Sequence, residues 1–173
     1  RRYCRPCNRN IGEIMSRLIA TFFYIGRLPW VPGTWGSLAA LPLANALHRY
    51  CGFPAFALAT VAVFLIGWAA TFTQTWGRQD HDPSEIVIDE VAGQWIALWP
   101  LSAGLWHAGV DPAIFPYPGW IGGFILFRAF DMIKPWPVSW ADNKTTALGV
   151  MLDDVLAGIM AAICVSALAW FAH

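Results

Sequence analysis

From Phe53 to Trp76 the chain is apolar almost without interruption, and a polar run from Gln74 to Asp82 ends it. A stretch of this kind, at about 20 residues, is long enough to cross a hydrocarbon core as a helix. Val91 to Val110 is a second such stretch, with Trp95, Trp99 and Trp106 as amphipathic rings suited to an interface. Leu152 to Phe171 is a third, and its Ala and Gly residues let neighbouring helices approach closely. Two shorter segments follow the same pattern. Ser37 to Tyr50 contains Pro42 and, at about 1.5 Å per residue, falls short of a full crossing, so a tilted, kinked or re-entrant helix is expected. Trp120 to Ile133 carries Arg128 and Asp131 in its last turns and stops before Pro135 and Pro137, which cannot continue a helical ladder. The pattern predicts an all-α fold, a polytopic membrane bundle of about four to five apolar helices. Residues 1–20 form a basic segment expected to be poorly ordered, and 21–173 a single membrane-embedded domain.

Composition supports the membrane assignment. Apolar residues make up 57% of the 173 and charged residues only 13%, with 11 Trp and a mean hydropathy of +0.49. A soluble domain carries about 25% charged residues. Formal net charge is zero, so nothing in bulk charge points to nucleic acid. The sequence does not begin with Met, which suggests a piece of a longer or processed chain. Cys4 and Cys7 have the spacing of half a zinc site, but no second pair completes it; Cys51 and Cys164 add no disulfide framework. No feature signals an oligomeric state.

Charge distribution gives an orientation. Arg1, Arg2, Arg5, Arg9, Arg17 and Arg27 crowd the N-terminal segment and place it on the cytoplasmic side by the positive-inside tendency. If Ser37 to Tyr50 crosses, Gly77–Glu90 and Lys134–Asp154 return to that side, while Cys51–Phe53 and Gly109–Pro118 are outside turns. Nine of the eleven acidic residues then share the cytoplasmic face: Asp80, Asp82, Glu85, Asp89, Glu90, Asp131, Asp142, Asp153 and Asp154.

Two acidic phrases, Asp89-Glu90-Val91-Ala92-Gly93 and Asp153-Asp154-Val155-Leu156-Ala157-Gly158, are expected to open apolar helices. Adjacent carboxylates there repel each other unless a cation or basic side chain neutralises them. Hard oxygen ligands suit magnesium or manganese rather than zinc, so Asp89, Glu90, Asp153 and Asp154 are the candidate metal ligands. Gly93 and Gly158 would let the two helices cross closely and bring the pairs together. Simple pairing with Arg128 and Lys134 is the structural alternative. The segment Val31 to Ser37 reads as a glycine-rich loop capped by Ser37; it is either a sharp turn into the helix or a phosphate cradle using Gly33, Thr34, Gly36 and Ser37. Arg128, Asp131 and Lys134 are spaced three and three on one helix face: a forked donor matched to phosphate, a carboxylate to pair with it, and a compact cation. Asp131 joins the two acidic pairs as a candidate catalytic residue. Asp142 is either a fifth acidic ligand or a solvated residue, and His81, with Asp82 beside it, either a proton-transfer group or an ordinary loop histidine. His48, His107 and His173 read as interface residues. No GxSxG or Cys-based phosphatase loop is present, so catalysis by metal-activated water is the simplest fit, with an aspartyl nucleophile as a variant.

The phrases Pro32-Gly33-Thr34-Trp35-Gly36-Ser37, Ile88-Asp89-Glu90 with Gly93, Phe127-Arg128 through Asp131 to Lys134-Pro135-Trp136-Pro137, and Met151-Leu152-Asp153-Asp154 with Ala157-Gly158 together resemble the signatures of the phosphatidylglycerophosphatase A family. The resemblance covers about Phe22 to Trp170. It implies a bacterial inner-membrane, multi-pass, magnesium-dependent lipid phosphatase, with its active site facing the cytoplasm, that converts phosphatidylglycerophosphate in the bilayer to phosphatidylglycerol. The competing expectation is a divalent-cation or proton carrier built on the same acidic cluster.

Overall fold

Gly52 decides the architecture. The computed structural model describes residues 11–77, 83–114 and 116–171, so Cys4, Cys7, His81, Asp82 and His173 lie outside the described residues. The described residues are all helical and contain no strand. A short helix α1 (Ile11–Ala20) and a 3₁₀ turn (Ile25–Arg27) lead into α2 (Pro32–Thr75), a 44-residue element whose one non-helical residue is Gly52, at φ 75° and ψ 175°. The chain reverses there. A straight helix would separate Gly36 from Gly67 by about 46 Å, yet Gly36 packs on Val87 and Gly67 on the adjacent Ile88. Positive φ needs glycine, and the Trp106 indole nitrogen would lie 3.1 Å from any Cβ at Gly52. Ser37 to Tyr50 is therefore most of the first arm of a helical hairpin, and Pro54 begins the second arm.

The uninterrupted helix expected over Val91 to Val110 is two helices, α3 (Ile88–Ala97) and α4 (Trp99–His107), broken at Leu98 because Pro100 supplies no N–H to the ladder. They run along the α2 hairpin. The Trp95 indole donates to the Ala40 carbonyl at 2.9 Å and the Trp99 indole to Thr60 Oγ1 at 3.1 Å. His48 is buried against α4, its Nδ1 2.7 Å from Ser102 Oγ, and not at an interface as its position in sequence suggested. Helix α5 (Tyr117–Ile133) packs antiparallel to this pair, since Gly119 meets Leu101, Gly123 meets Leu98 and Phe127 meets Gly93. A short α6 (Val138–Asp142) leads to α7 (Ala147–Phe171). α7 starts five residues before Leu152, so Asp153 and Asp154 lie about two turns inside it and not at its start as expected. Among the described residues, α2 and α7 are the two elements long and apolar enough to cross a membrane.

Helices α3 and α7 cross with their backbones in close approach. A Cβ on Gly93 would lie 2.5 Å from the Asp154 carbonyl oxygen, and one on Gly158 would lie 2.4 Å from the Gly93 carbonyl oxygen. Each glycine thus accommodates the other helix's backbone, the close crossing its sequence position implied. Within the basic segment 1–20, Ile11–Ala20 forms a helix: buried Ser16 and Ala20 face the bundle, and Gln74 Nε2 donates to Ser16 Oγ at 2.7 Å. Residues 1–10 lie outside the described part.

Candidate active site

One end of the bundle holds a cleft of about 200 Å³, lined by Pro32 and Gly33 of α2, Ser84 and Ile86 of the following connection, Asp89 and Glu90 of α3, Arg128 and Asp131 of α5, Lys134, and Val150, Asp153 and Asp154 of α7. The α3–α7 crossing is what makes this constellation. Asp89 and Glu90 occupy the first turn of α3, where the positive end of the helix favours carboxylates, and the contact at Gly93 and Gly158 brings α7 alongside. Asp89, Glu90 and Asp154 each offer an oxygen to one point, the three atoms lying within 4.8 Å of one another. Glu90 Oε2 and Asp154 Oδ1 are buried and accept no hydrogen bond. Buried carboxylate oxygens without partners are costly, and a cation at that point removes the cost. The donor set, hard oxygens only, fits magnesium or manganese.

Asp153 has a basic partner of its own. It turns to Lys134, whose Nζ donates to Asp153 Oδ2 at 2.9 Å and also to Asp142 Oδ1. Burial alone would depress the Lys134 pKa, but the two carboxylates accepting from its ammonium outweigh burial and hold it above the usual lysine value, so it is a fixed positive charge. Lys134 has a left-handed backbone (φ 47°) at the end of α5, and this points the chain away toward the Trp136-Pro137 cis peptide. Arg128 and Asp131 pair as their spacing predicts, both largely buried, while Arg128 Nε has no partner. Arg128 and Lys134 are thus tied to Asp131, Asp142 and Asp153, so of the four candidate ligands Asp153 is the one that pairs with a basic side chain of this set.

The expected phosphate loop is not a loop. Pro32 takes the first helical position of α2, so Gly33 to Ser37 are already helical, and Ser37 is no cap: it is buried and its Oγ donates to the Gly33 carbonyl at 2.9 Å. Gly36 is taken up by packing on Val87, and half-buried Thr34 donates its N–H to the Val31 carbonyl at 3.1 Å. Of the four residues only Gly33 lines the cleft. Its missing side chain has a specific use, because a Cβ there would stand 1.9 Å from Glu90 Oε1 and 3.2 Å from Arg128 Nη1. Both obstructing atoms end flexible side chains, so Gly33→Ala should leave thermal stability in detergent nearly unchanged while displacing the Glu90 carboxylate. The expected result is weaker apparent metal affinity and turnover reduced by about a hundredfold; wild-type metal affinity in this variant would count against Glu90 as a ligand.

Sequence reasoning missed Glu85, Ser84 and Gln94. Glu85 is held by Arg17 (3.2 Å) and Arg27 (3.1 Å), and Val87 N–H donates to the Ala20 carbonyl at 3.0 Å, so the N-terminal segment clamps the connection that delivers Asp89 and Glu90. Gln94 is completely buried, with neither amide atom hydrogen-bonded. Its signal was present: a polar residue four positions after Glu90 in an apolar run.

The family model described as phosphatidylglycerophosphatase A matches residues 18–169. The phosphatidylglycerophosphatase A of Escherichia coli (strain K12) is 35% identical over 147 residues, covering 84% of this chain and 78% of the relative. That of Haemophilus influenzae is 36% identical over 156 residues, 89% of this chain and 88% of the relative. A Bacteroides thetaiotaomicron protein named "Putative phosphatidylinositol-3-phosphatase" is 36% identical over 160 residues, 88% of this chain and 92% of its own length. No solved structure matches. The two phosphatidylglycerophosphatases are by name phosphoric monoester hydrolases, and the model match spans all four motifs that build the cleft, so the chain belongs to the phosphatidylglycerophosphatase A family.

Proposed function

We propose that this enzyme is a magnesium-dependent lipid phosphatase that hydrolyses the terminal phosphomonoester of phosphatidylglycerophosphate, giving phosphatidylglycerol and inorganic phosphate. The observation that carries this reading is the three-carboxylate point of Asp89, Glu90 and Asp154 in one cleft with Arg128 and Lys134. Asp89, Glu90 and Asp154 would hold the magnesium. When bound, it polarises the phosphoryl group and a water for in-line attack. Arg128, with Nε unpartnered and its fork set by Asp131, binds phosphate oxygens, and Lys134, fixed between Asp142 and Asp153, neutralises charge on them. The site is built from the first turns of α2 and α3, the end of α5 and residues about two turns into α7, so the headgroup enters from the interface while the acyl chains stay beside the helices. We place the chain in a bacterial inner membrane: the two arms of α2, the α3–α4 pair, α5 and α7 cross in alternating directions, and the cleft faces the cytoplasm. The carrier alternative finds no support in the family.

Phosphate release from phosphatidylglycerophosphate by the purified protein in detergent tests this, with magnesium and then with excess chelator. Turnover that chelator abolishes and magnesium restores is expected. Phosphatidylinositol 3-phosphate, the substrate class in the Bacteroides thetaiotaomicron relative's name, is the comparison, and a higher kcat/KM on it would overturn the headgroup assignment.

A further inference from the structure

Helix α1 is amphipathic the wrong way round for a helix on a water-facing surface. Ile11, Ile14 and Met15 fall within about 100° of one another on the helical wheel, and they face outward, Ile11 at 81% exposure, while Ser16 and Arg17 face the bundle. The same exposure continues in Phe23 (70%) and Trp30 (95%), just before the cleft residues Pro32 and Gly33. At 10 residues α1 is about 15 Å long and cannot span a bilayer. Charge selects the occupant: residues 1–31 contain six arginines and one acidic residue, Glu13. An apolar face within a segment whose sequence carries that excess of arginine fits the headgroup and acyl boundary of an anionic bilayer.

We propose that α1 and the segment through Trp30 form an interfacial plate that docks on anionic phospholipid beside the cleft mouth and presents lipid substrate to Pro32 and Gly33. The proposal rests on the membrane-phosphatase reading for its consequence, and on α1 alone for its geometry.

The test uses the full chain in nanodiscs of phosphatidylglycerol and phosphatidylcholine, its native cysteines replaced by Ser, with a spin label on Ile14→Cys. Collisions with oxygen should exceed those with a water-soluble nickel chelate, and the excess should shrink in nanodiscs of phosphatidylcholine alone. A label open to nickel, or shielded from both reagents as by a second protein copy, would overturn the proposal. In parallel, I11S/I14S/M15S should raise KM for bilayer-presented phosphatidylglycerophosphate about tenfold and leave hydrolysis of a short-chain, micelle-free analogue unchanged. Equal loss on both substrates would overturn the presenting role. Failure of the wild-type chain to hydrolyse either substrate, with the label still immersed, would defeat the phosphatase reading and leave the plate standing.

Discussion

Asp154→Asn should abolish lipid phosphate release, with kcat lower by about a thousandfold, while the protein still inserts and elutes as the folded species. The Asp154 side chain converges with Asp89 and Glu90, and its Oδ1 is buried with no hydrogen bond. The amide is isosteric, so packing survives and only charge and ligand basicity change. Magnesium should raise the melting temperature of the wild-type protein in detergent and not that of the variant. The neighbouring Asp153→Asn separates the two roles. Asp153 accepts from Lys134 at 2.9 Å, so its loss should raise KM through a mispositioned Lys134 and leave the magnesium-induced stabilisation intact. If the two variants exchange these phenotypes, Asp153 and not Asp154 is the ligand.

The second large effect is expected at the helix crossing. In Gly93→Ala the added methyl meets the Asp154 carbonyl oxygen at 2.5 Å and the Phe127 ring at 2.6 Å, one of them backbone that has no alternative rotamer. Separating α3 from α7 to admit it costs about 1–3 kcal/mol and moves Asp154 from the carboxylates of α3. Thermal unfolding should therefore fall by several degrees, and activity should fall further than stability does. Gly122→Ala is the control, since nothing lies within 4 Å of its Cβ position. A Gly93→Ala protein with wild-type turnover would show that the crossing is not what assembles the site.

Why some of this was legible in sequence and some was not follows from the range of the interactions. Apolar length and charged pairs are local properties, so the helices and the acidic phrases were visible, as was the Arg128–Asp131 pair at three-residue spacing. Gly93 and Gly158 were also readable, because small residues beside carboxylates in apolar helices have few other uses. The start of α7 was misplaced because its mark is a single residue in a polar stretch: Thr146 caps the helix by accepting the Gly149 N–H at 3.1 Å, and Ala147 to Met151 carries no charge. The motif Pro32 to Ser37 looked like a loop from its glycines, whereas their use is tertiary, one making room for Glu90 and the other for Val87. The division of labour between Asp153 and Asp154 depends on where α5 ends and points Lys134. No pattern within α7 contains that information.

The split of the carboxylate point between α3 and α7 also has a meaning in time. Roughly sixty residues separate Glu90 from Asp154, which at about 5–20 residues per second is several seconds of synthesis. A nascent chain that has inserted α2 and α3 carries two of the three converging carboxylates and no competent centre. In the proposed site, hydrolysis requires α7 docked at Gly93, so on this reading the enzyme acts on lipids as a finished molecule and never as a half-built one.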